Sequence, residues 1–187
     1  MGYEVEFWNK FTENNKSNYN EEFAKFIRDL ATSLKSQSVL EVGCNIGNDL
    51  KLFPETIEVH GIDPNENAIA KAKEKQLTFK FQKGSITKIP LPDNSIDFVF
   101  THNVLNYVPD EEMEQAVKEL FRVANKYILN CESFDEKETA MENENIFAKN
   151  RYMLNRWKDF KVKIISDVDM HEDIDSKKPR FTLIRKI

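Results

Sequence analysis

Cysteine, glycine and long apolar runs are scarce in this 187-residue chain, which has 2 cysteines and 5 glycines. Cys44 and Cys131 form neither a disulfide framework nor a metal-type pair, so a reducing, cytoplasmic setting is expected. No apolar run approaches the roughly 20 residues that span a bilayer, so no membrane span is expected. The amino terminus also lacks the basic and apolar regions of a signal peptide.

A basic excess is missing too. The chain has 27 Lys and Arg against 32 Asp and Glu, a net charge of −5. Because a non-specific nucleic-acid binder needs a basic face to neutralise phosphates, we expect no nucleic-acid partner. The 3 histidines are scattered, so no metal site is expected either. A small-molecule substrate and a monomer or homodimer are the expectation.

Strand-like apolar runs alternate with amphipathic, helix-like segments along the chain. The predicted strands are 38–42, 57–63, 77–84, 95–103, 126–134, 160–168 and 180–187, and the predicted helices are 20–35, 48–52, 65–76, 109–124 and 144–157. This alternation predicts an α/β, Rossmann-like three-layer sandwich with a seven-stranded, mostly parallel sheet and an antiparallel edge strand. We expect a single domain over 1–187, with 1–35 as an amino-terminal helical segment or lid and 36–187 as the core.

The stretch "SVLEVGCNIGNDL" places two of the five glycines, Gly43 and Gly47, directly after the first predicted strand. Glycine lets a ligand approach the backbone closely, and Asn45 tolerates a left-handed conformation. Asp63 ends the second strand 63 − 43 = 20 positions after the first glycine, where a carboxylate grips the ribose of a bound nucleotide. An ordinary tight turn, with Asp63 as a helix cap, is the alternative. The dinucleotide fingerprint G-x-G-x-x-G is absent, because Asn45 and Asn48 occupy its second and third glycine positions.

These residues resemble motif I of the class I S-adenosylmethionine-dependent methyltransferases, with Glu41 as its acidic residue and Asn45 in place of the middle glycine. Similarity to that family's order of motifs continues over residues 38 to about 134, through "VHGIDPNENAIAKAKEK" and "FQKGSITKIPLPDNSIDFVFTHNVLNYV". Ser85 stands where the family most often has the aspartate that meets adenine. The resemblance implies S-adenosyl-L-methionine as the cofactor. It also implies a set of cofactor-binding residues, namely Glu41, Gly43, Cys44, Asn45, Gly47, Asp63, Pro64, Gly84, Ser85, Ile86, Thr101, His102 and Asn103.

Other segments resemble the methyltransferases associated with pseudaminic acid biosynthesis, among them "EFWNKF", "NVLNYVPDEEMEQAVKELFRVANKYILNCESF" and "FAKNRYMLNRWKDF". That resemblance implies methyl transfer to a small polar acceptor, such as a sugar or nucleotide-sugar oxygen or nitrogen in surface-glycan biosynthesis. A hydroxyl acceptor needs a base, for which His171 and Glu132 are the candidates. Trp8, Tyr19 and Tyr107 are the candidate substrate-binding residues. The alternatives are an exposed loop for His171, a helix-end or edge carboxylate for Glu132, and core packing for Trp8 and Tyr19.

Three other functions stay open. The acceptor could be a protein, a lipid or another metabolite, or the chain could be a non-catalytic cofactor-binding partner subunit. A dinucleotide-dependent oxidoreductase is disfavoured, because it would need three glycines in the tighter spacing.

Overall fold

A computed structural model describes residues 2–14, 19–142 and 146–187. A seven-stranded sheet forms its centre, in the spatial order β3-β2-β1-β4-β5-β7-β6. The strands are β1 (Ser38–Val42), β2 (Glu58–Asp63), β3 (Lys80–Lys83), β4 (Ile96–His102), β5 (Ala124–Glu132), β6 (Val162–Asp169) and β7 (Arg180–Lys186). The first five strands are mutually parallel, and β7 runs antiparallel to both β5 and β6. The predicted α/β class and sheet are therefore confirmed, with β7 lying one strand inside the edge.

Five α-helices surround this sheet in the part of the chain that the structure describes: α1 (Gly2–Asn14), α2 (Glu21–Ser33), α3 (Glu66–Lys75), α4 (Asp110–Val123) and the single turn α5 (Met153–Arg156). Asn65 caps α3 as predicted, because its side chain accepts from the backbone N–H groups of Asn67 and Ala68. Within the described residues, none of the helices is both long and apolar enough to cross a bilayer.

The two sides of the sheet bury separate apolar layers. In β4, Phe98 and Phe100 face the layer that contains Phe23 of α2, whereas Val99 faces the layer that contains Leu120 of α4. This alternation follows from the two-residue period of a strand, and it explains why both faces of β4 read as apolar in the sequence.

The predicted helix at 48–52 is wrong. Residues 45–52 form successive turns, in which Gly47 N donates to Cys44 O at 2.8 Å and Phe53 N donates to Leu50 O at 3.1 Å. Asn45 and Gly47, just before the predicted helix, have positive φ of 48° and 74°, so no right-handed helix runs through them. A turn-built segment therefore replaces the helix that normally follows the first strand of such a sheet.

The predicted helix at 144–157 is wrong in most of its described part, where only α5 is helical; residues 143–145 lie outside the described residues. The segment before α5 runs extended, and Met141 N donates to Ala148 O at 3.0 Å. Arg151 is fully buried, and its Nε donates to Leu105 O at 3.0 Å. A buried guanidinium must satisfy its donors, and this requirement overrides the local helical preference.

Candidate functional site

A cavity of about 1080 Å³ opens at the carboxyl ends of the parallel strands. Ligands of open α/β sheets bind at this edge, near the position where the strand order reverses between β1 and β4. Most of the predicted cofactor-binding residues line the cavity, namely Glu41, Gly43, Cys44, Asn45, Asp63, Pro64, Gly84, Ser85, Ile86, His102 and Asn103. The topology thus brings together residues from the ends of four strands.

Two predicted cofactor residues lie elsewhere. Gly47 does not line the cavity; a side chain there would meet the ring of Phe81 at 2.8 Å, so this glycine is required by packing. Thr101 is fully buried and its hydroxyl accepts from Asn130 Nδ2 at 2.9 Å, behind the cavity wall. Cofactor binding by Gly47 and Thr101 stays a prediction, and the positions of these two residues do not support it.

The carboxylate of Asp63, at the end of β2, supports the loop after β1. One carboxylate oxygen of Asp63 accepts from Asn45 N at 2.9 Å and the other accepts from Asn65 N at 2.8 Å. Burial raises the pKa of Asp63, and these two N–H groups oppose that rise by stabilising the charged form. Each oxygen keeps a second acceptor position, so Asp63 can serve the loop and still accept from neighbouring hydroxyls of a ligand.

Glu41 is the buried acid of the cavity floor. It is 4% exposed, and its Oε2 has no hydrogen-bond partner among the described residues. Burial, and then the charges of Asp49 and Asp63, raise its pKa well above the ordinary value. A cationic group bound beside Glu41 would favour the ionised carboxylate and supply the missing partner.

The amino-terminal helix covers one side of the cavity. Thr12 is fully buried, and its hydroxyl accepts from Asn45 Nδ2 at 3.1 Å and from Asn65 Nδ2 at 3.3 Å. The indole of Trp8 meets the ring of Tyr107 edge-on, with centroids 4.9 Å apart. Trp8, Tyr107 and Tyr19, the three predicted substrate-binding aromatics, all line the cavity. α1 is therefore fixed to the loop after β1 in a position suited to a lid.

Of the two predicted bases, neither lines the cavity. His171 is exposed, and its Nδ1 accepts from Asp173 N at 3.2 Å within its own loop. Glu132 is 1% exposed, and its Oε2 accepts from Val104 N at 2.9 Å and Asn106 N at 3.4 Å. The geometry gives Glu132 a clear positioning role, because it holds the loop after β4 that forms part of the cavity wall. Proton transfer by either residue stays a prediction.

Glu132 also makes the stability of the fold sensitive to pH. Burial raises the pKa of Glu132 to about 7, against the opposing effect of its hydrogen bonds and of His102. Because the ordinary value is 4.5, the folded state binds the extra proton between pH 4.5 and about 7. We expect this group's stabilising contribution to be complete below pH 4.5 and to fall by up to roughly 1.4 kcal/mol per pH unit as pH rises towards 7.

Glu132→Gln should remove that component, since an uncharged amide keeps an acceptor for Val104 N and Asn106 N. The measurement is urea unfolding of both proteins from pH 4.5 to 8. The parent should lose stability relative to the variant as pH rises; parallel curves would show that Glu132 titrates normally.

Asp49, Asn106 and Asp175 are among the polar residues of the cavity that sequence reasoning missed. Asn106 is 1% exposed, and its amide donates to Ser133 O at 3.0 Å and Lys149 O at 2.8 Å. Asp49 and Asp175 flank the ring of His102, at 2.7 Å from Nδ1 and 3.1 Å from Nε2. The sequence held a signal for two of these residues. Asp49 closely follows Gly47 in the glycine loop, and Asp175 closely follows the segment "DMHED".

His102 is consequently an ion-pair partner. Burial lowers its pKa, but the charges and hydrogen bonds of Asp49 and Asp175 prevail and raise it to about 9. The imidazolium form is the one that both carboxylates stabilise.

The cavity fits S-adenosylmethionine by the chemistry of its donors and acceptors. The unpartnered oxygen of Glu41 suits a cationic group, the backbone at Gly43 permits close approach, and Asp63 suits the ribose hydroxyls. The turns at 45–52 provide no helix amino terminus for the pyrophosphate of a dinucleotide.

Comparison with known proteins agrees with this fit. Residues 39–126 match the family described as a methyltransferase domain. An uncharacterised methyltransferase of Schizosaccharomyces pombe is 38% identical over 90 residues, covering 41% of this chain and 32% of its own length. A solved methyltransferase from Aquifex aeolicus, described as dependent on S-adenosylmethionine, has a TM-score of 0.67 at 19% identity, covering 97% of both chains.

A second solved structure is phosphoethanolamine N-methyltransferase 1 of Haemonchus contortus, in complex with phosphoethanolamine and S-adenosylhomocysteine. It has a TM-score of 0.74 at 20% identity, over 97% of this chain and 47% of that one. The chain spans about a third of the length of the first curated relatives that it matches, between 32% and 39%. Residues 39–126 thus match a methyltransferase domain, and the sheet that contains them has the fold of solved methyltransferases that depend on S-adenosylmethionine.

Proposed function

We propose that this chain transfers the methyl group of S-adenosylmethionine to a small polar acceptor, within one domain over 1–187 whose amino-terminal segment 1–35 acts as a lid. The observation that carries the proposal is the floor of the cavity, where an unpartnered Glu41 oxygen lies beside the Gly43 loop supported by Asp63. A cationic, ribose-bearing cofactor satisfies all three features. A dinucleotide satisfies only the ribose contact, because its pyrophosphate would face carboxylates.

The charge of the lining bears on the acceptor. Among the described lining residues, 8 are Asp or Glu, whereas Lys177 and His102 are the basic ones, and His102 already pairs with two aspartates. Phosphate groups are repelled by such a lining. We therefore favour a sugar or amine without phosphate over a nucleotide sugar, and over a phosphobase such as the phosphoethanolamine bound by the Haemonchus contortus protein. The sugar assignment itself rests on the resemblance to the pseudaminic acid-associated family.

The bound cofactor supplies an activated methyl group on a positively charged sulfur. The residues of this chain exclude water and hold the acceptor in line with that group, since correct positioning of the reacting atoms lowers the barrier. Trp8 and Tyr107 form an apolar wall against which a sugar or amine can stack. Glu132 fixes the Val104–Asn106 backbone that continues this wall.

Two alternative functions would use the same cavity. A protein, lipid or other metabolite could be the acceptor, or the chain could bind the cofactor as a non-catalytic subunit. A reducing, cytoplasmic setting with a monomer or homodimer is part of the same proposal.

Calorimetric titration with S-adenosylmethionine, S-adenosylhomocysteine and NAD tests the cofactor. We expect both adenosyl compounds to bind with a Kd on the order of micromolar. NAD should show no heat beyond dilution, because the site lacks a pyrophosphate-binding helix terminus. Tight NAD binding would overturn the assignment, and binding without turnover would support the non-catalytic subunit.

The acceptor is tested next by transfer of a labelled methyl group to three matched sets: amino sugars, neutral sugars and nucleotide sugars. The acidic lining predicts that amino sugars and neutral sugars are methylated faster than their nucleotide-linked forms. Preferential methylation of nucleotide sugars would contradict the argument from charge.

A further inference from the structure

His102 lies between two carboxylates that come from distant parts of the chain. Its Nδ1 is 2.7 Å from Asp49 Oδ2, in the turns after β1, and its Nε2 is 3.1 Å from Asp175 Oδ2, in the segment between β6 and β7. Carboxylates only accept hydrogen bonds, so both ring nitrogens must carry hydrogen to satisfy both contacts. A neutral imidazole would turn one lone pair towards a carboxylate. The arrangement therefore holds a buried imidazolium.

The ring of His102 is also packed against a neighbouring aromatic side chain. It stacks on Phe23 of α2, with centroids 3.7 Å apart and planes inclined by 21°. Its side chain is 13% exposed, and the side chains of Asp49 and Asp175 are 14% and 8% exposed. Ion pairs screened from water to this degree interact more strongly than surface pairs, and loss of one member leaves buried charge without compensation.

The segment that Asp175 belongs to forms one wall of the cavity. We define residues 171–178, between β6 and β7, as the wall loop; six of its residues, 172–177, line the cavity. Inside the loop, Asp175 Oδ1 accepts from Lys177 N at 2.9 Å. A second anchor to the rest of the molecule is Asn20, whose amide donates to Ile174 O at 2.9 Å. Ile174 also packs against the apolar core, so the ion pair with His102 is the charged attachment of the wall loop, next to one hydrogen bond and one apolar contact.

His102 has no free lone pair with which to accept a proton from a substrate. Both nitrogens are committed as donors, so the residue cannot act as a general base without breaking one of the two ion pairs. Its position at the end of β4 allows it instead to connect the turns after β1 with the wall loop. A metal ion is not needed for this connection, because the imidazolium itself lies between the carboxylates.

We propose that the Asp49–His102–Asp175 bridge is a clamp that fastens the wall loop across the cofactor cavity, and that His102 is a positioning residue. Breaking the bridge frees the wall loop and lowers the affinity for cofactor while the strands stay folded. The effect on cofactor affinity rests on the proposed function, whereas the effect on the wall loop does not.

Asp175→Asn is the decisive variant, because it removes the charge that the wall loop contributes to the bridge. It leaves the strands and the contact between Asp49 and His102 intact. Asp173→Asn is the matched control for loop protection: it makes the same change in the same loop at an exposed side chain that pairs with His171 and not with His102. The first readout is amide hydrogen exchange of residues 171–178. The second is trypsin cleavage after the exposed Lys177.

We expect exchange and cleavage of the wall loop to rise by about tenfold or more in Asp175→Asn, because a charge-assisted hydrogen bond is lost. Exchange in β1 and β4 should stay at the parent level, and Asp173→Asn should match the parent in the loop. Unchanged protection of the wall loop in Asp175→Asn would overturn the clamp. Increased exchange throughout the sheet would overturn it as well, since the bridge would then support the whole fold.

Kinetics separate positioning from catalysis. In Asp175→Asn and in His102→Gln the KM for S-adenosylmethionine should rise by a larger factor than kcat falls. A loss confined to kcat, with the wall loop still protected, would make His102 a catalytic residue and refute the proposal.

If His102→Gln does not fold, Asp175→Asn still decides the question. If no methyl transfer is found with any acceptor, the exchange and cleavage data still test the clamp, and the proposed function fails separately.

Discussion

Asp63→Ala is expected to weaken binding of S-adenosylmethionine by about 1–3 kcal/mol, roughly 5- to 150-fold in Kd. The carboxylate accepts from Asn45 N and Asn65 N in the free protein, and its remaining acceptor positions face the cavity. The substitution removes the ribose acceptor and also leaves the N–H of Asn45 without its partner, so the loop after β1 loses its support. Calorimetric titration of the folded variant measures the loss.

Two further variants sharpen the result for Asp63. Asp63→Asn keeps one oxygen as an acceptor, but its NH2 group faces a backbone N–H that needs an acceptor. The affinity of Asp63→Asn for S-adenosylmethionine should therefore lie between those of the parent and Asp63→Ala. Asp29→Ala removes an exposed carboxylate of α2 that pairs with Arg28, far from the cavity lining, and should bind like the parent. Equal affinity of Asp63→Ala and Asp29→Ala would contradict both the ribose contact and the need for Asp63 to support the loop during cofactor binding.

Gly43→Ala is expected to lower the free energy of unfolding by about 2–4 kcal/mol. The added Cβ would lie 2.4 Å from Cγ2 of Val104, and the φ of Gly43 is +81°, a region that L residues rarely adopt. Val104 cannot easily retreat, since its side chain is branched at Cβ and its backbone N–H is held by Glu132. Urea denaturation followed by circular dichroism gives the loss of stability.

A double-mutant cycle separates the two causes at Gly43. Val104→Ala removes both methyl groups, so Gly43→Ala made on that background should cost only the backbone contribution, about 1–2 kcal/mol. The same cost on both backgrounds would mean that the collision with Val104 is relieved by a small shift and that φ alone requires glycine.

Local sequence patterns were sufficient for the elements that depend on local chemistry. Apolar runs of strand length, separated by amphipathic segments, predicted all seven strands, and Asn65 predicted the start of α3. Asp63 was found because the carboxyl ends of parallel strands lie at one edge of the sheet. A residue that ends β2, about 20 positions after the glycine that follows β1, therefore lies close to that glycine in space. The same rule brought Gly43, Gly84 and His102 to one cavity.

Local patterns failed where a buried polar group decided the conformation. The helix predicted at 144–157 yields to an extended segment because Arg151 must reach the carbonyl of Leu105. The helix predicted at 48–52 yields to turns in a segment where Asp49 pairs with His102 and where the preceding residues Asn45 and Gly47 have positive φ. In both places a helix is locally favourable, and a contact with a distant segment overrides it.

The sequence by itself determined the strands, the class of the sheet and the candidate acid for the ribose, Asp63, because the apolar period of a strand and the alternation of strands with helices are local patterns. Only the tertiary structure decided which residues meet inside the cavity. His102 is 53 positions from Asp49 and 73 from Asp175, and no local pattern encodes a contact over such separations. Burial leaves one carboxylate oxygen of Glu41 without a partner and raises the pKa of Glu132 to about 7. At His102 burial lowers the pKa, and the two neighbouring aspartates outweigh that effect. Both the removal of water and the approach of these charges occur only when the segments pack together.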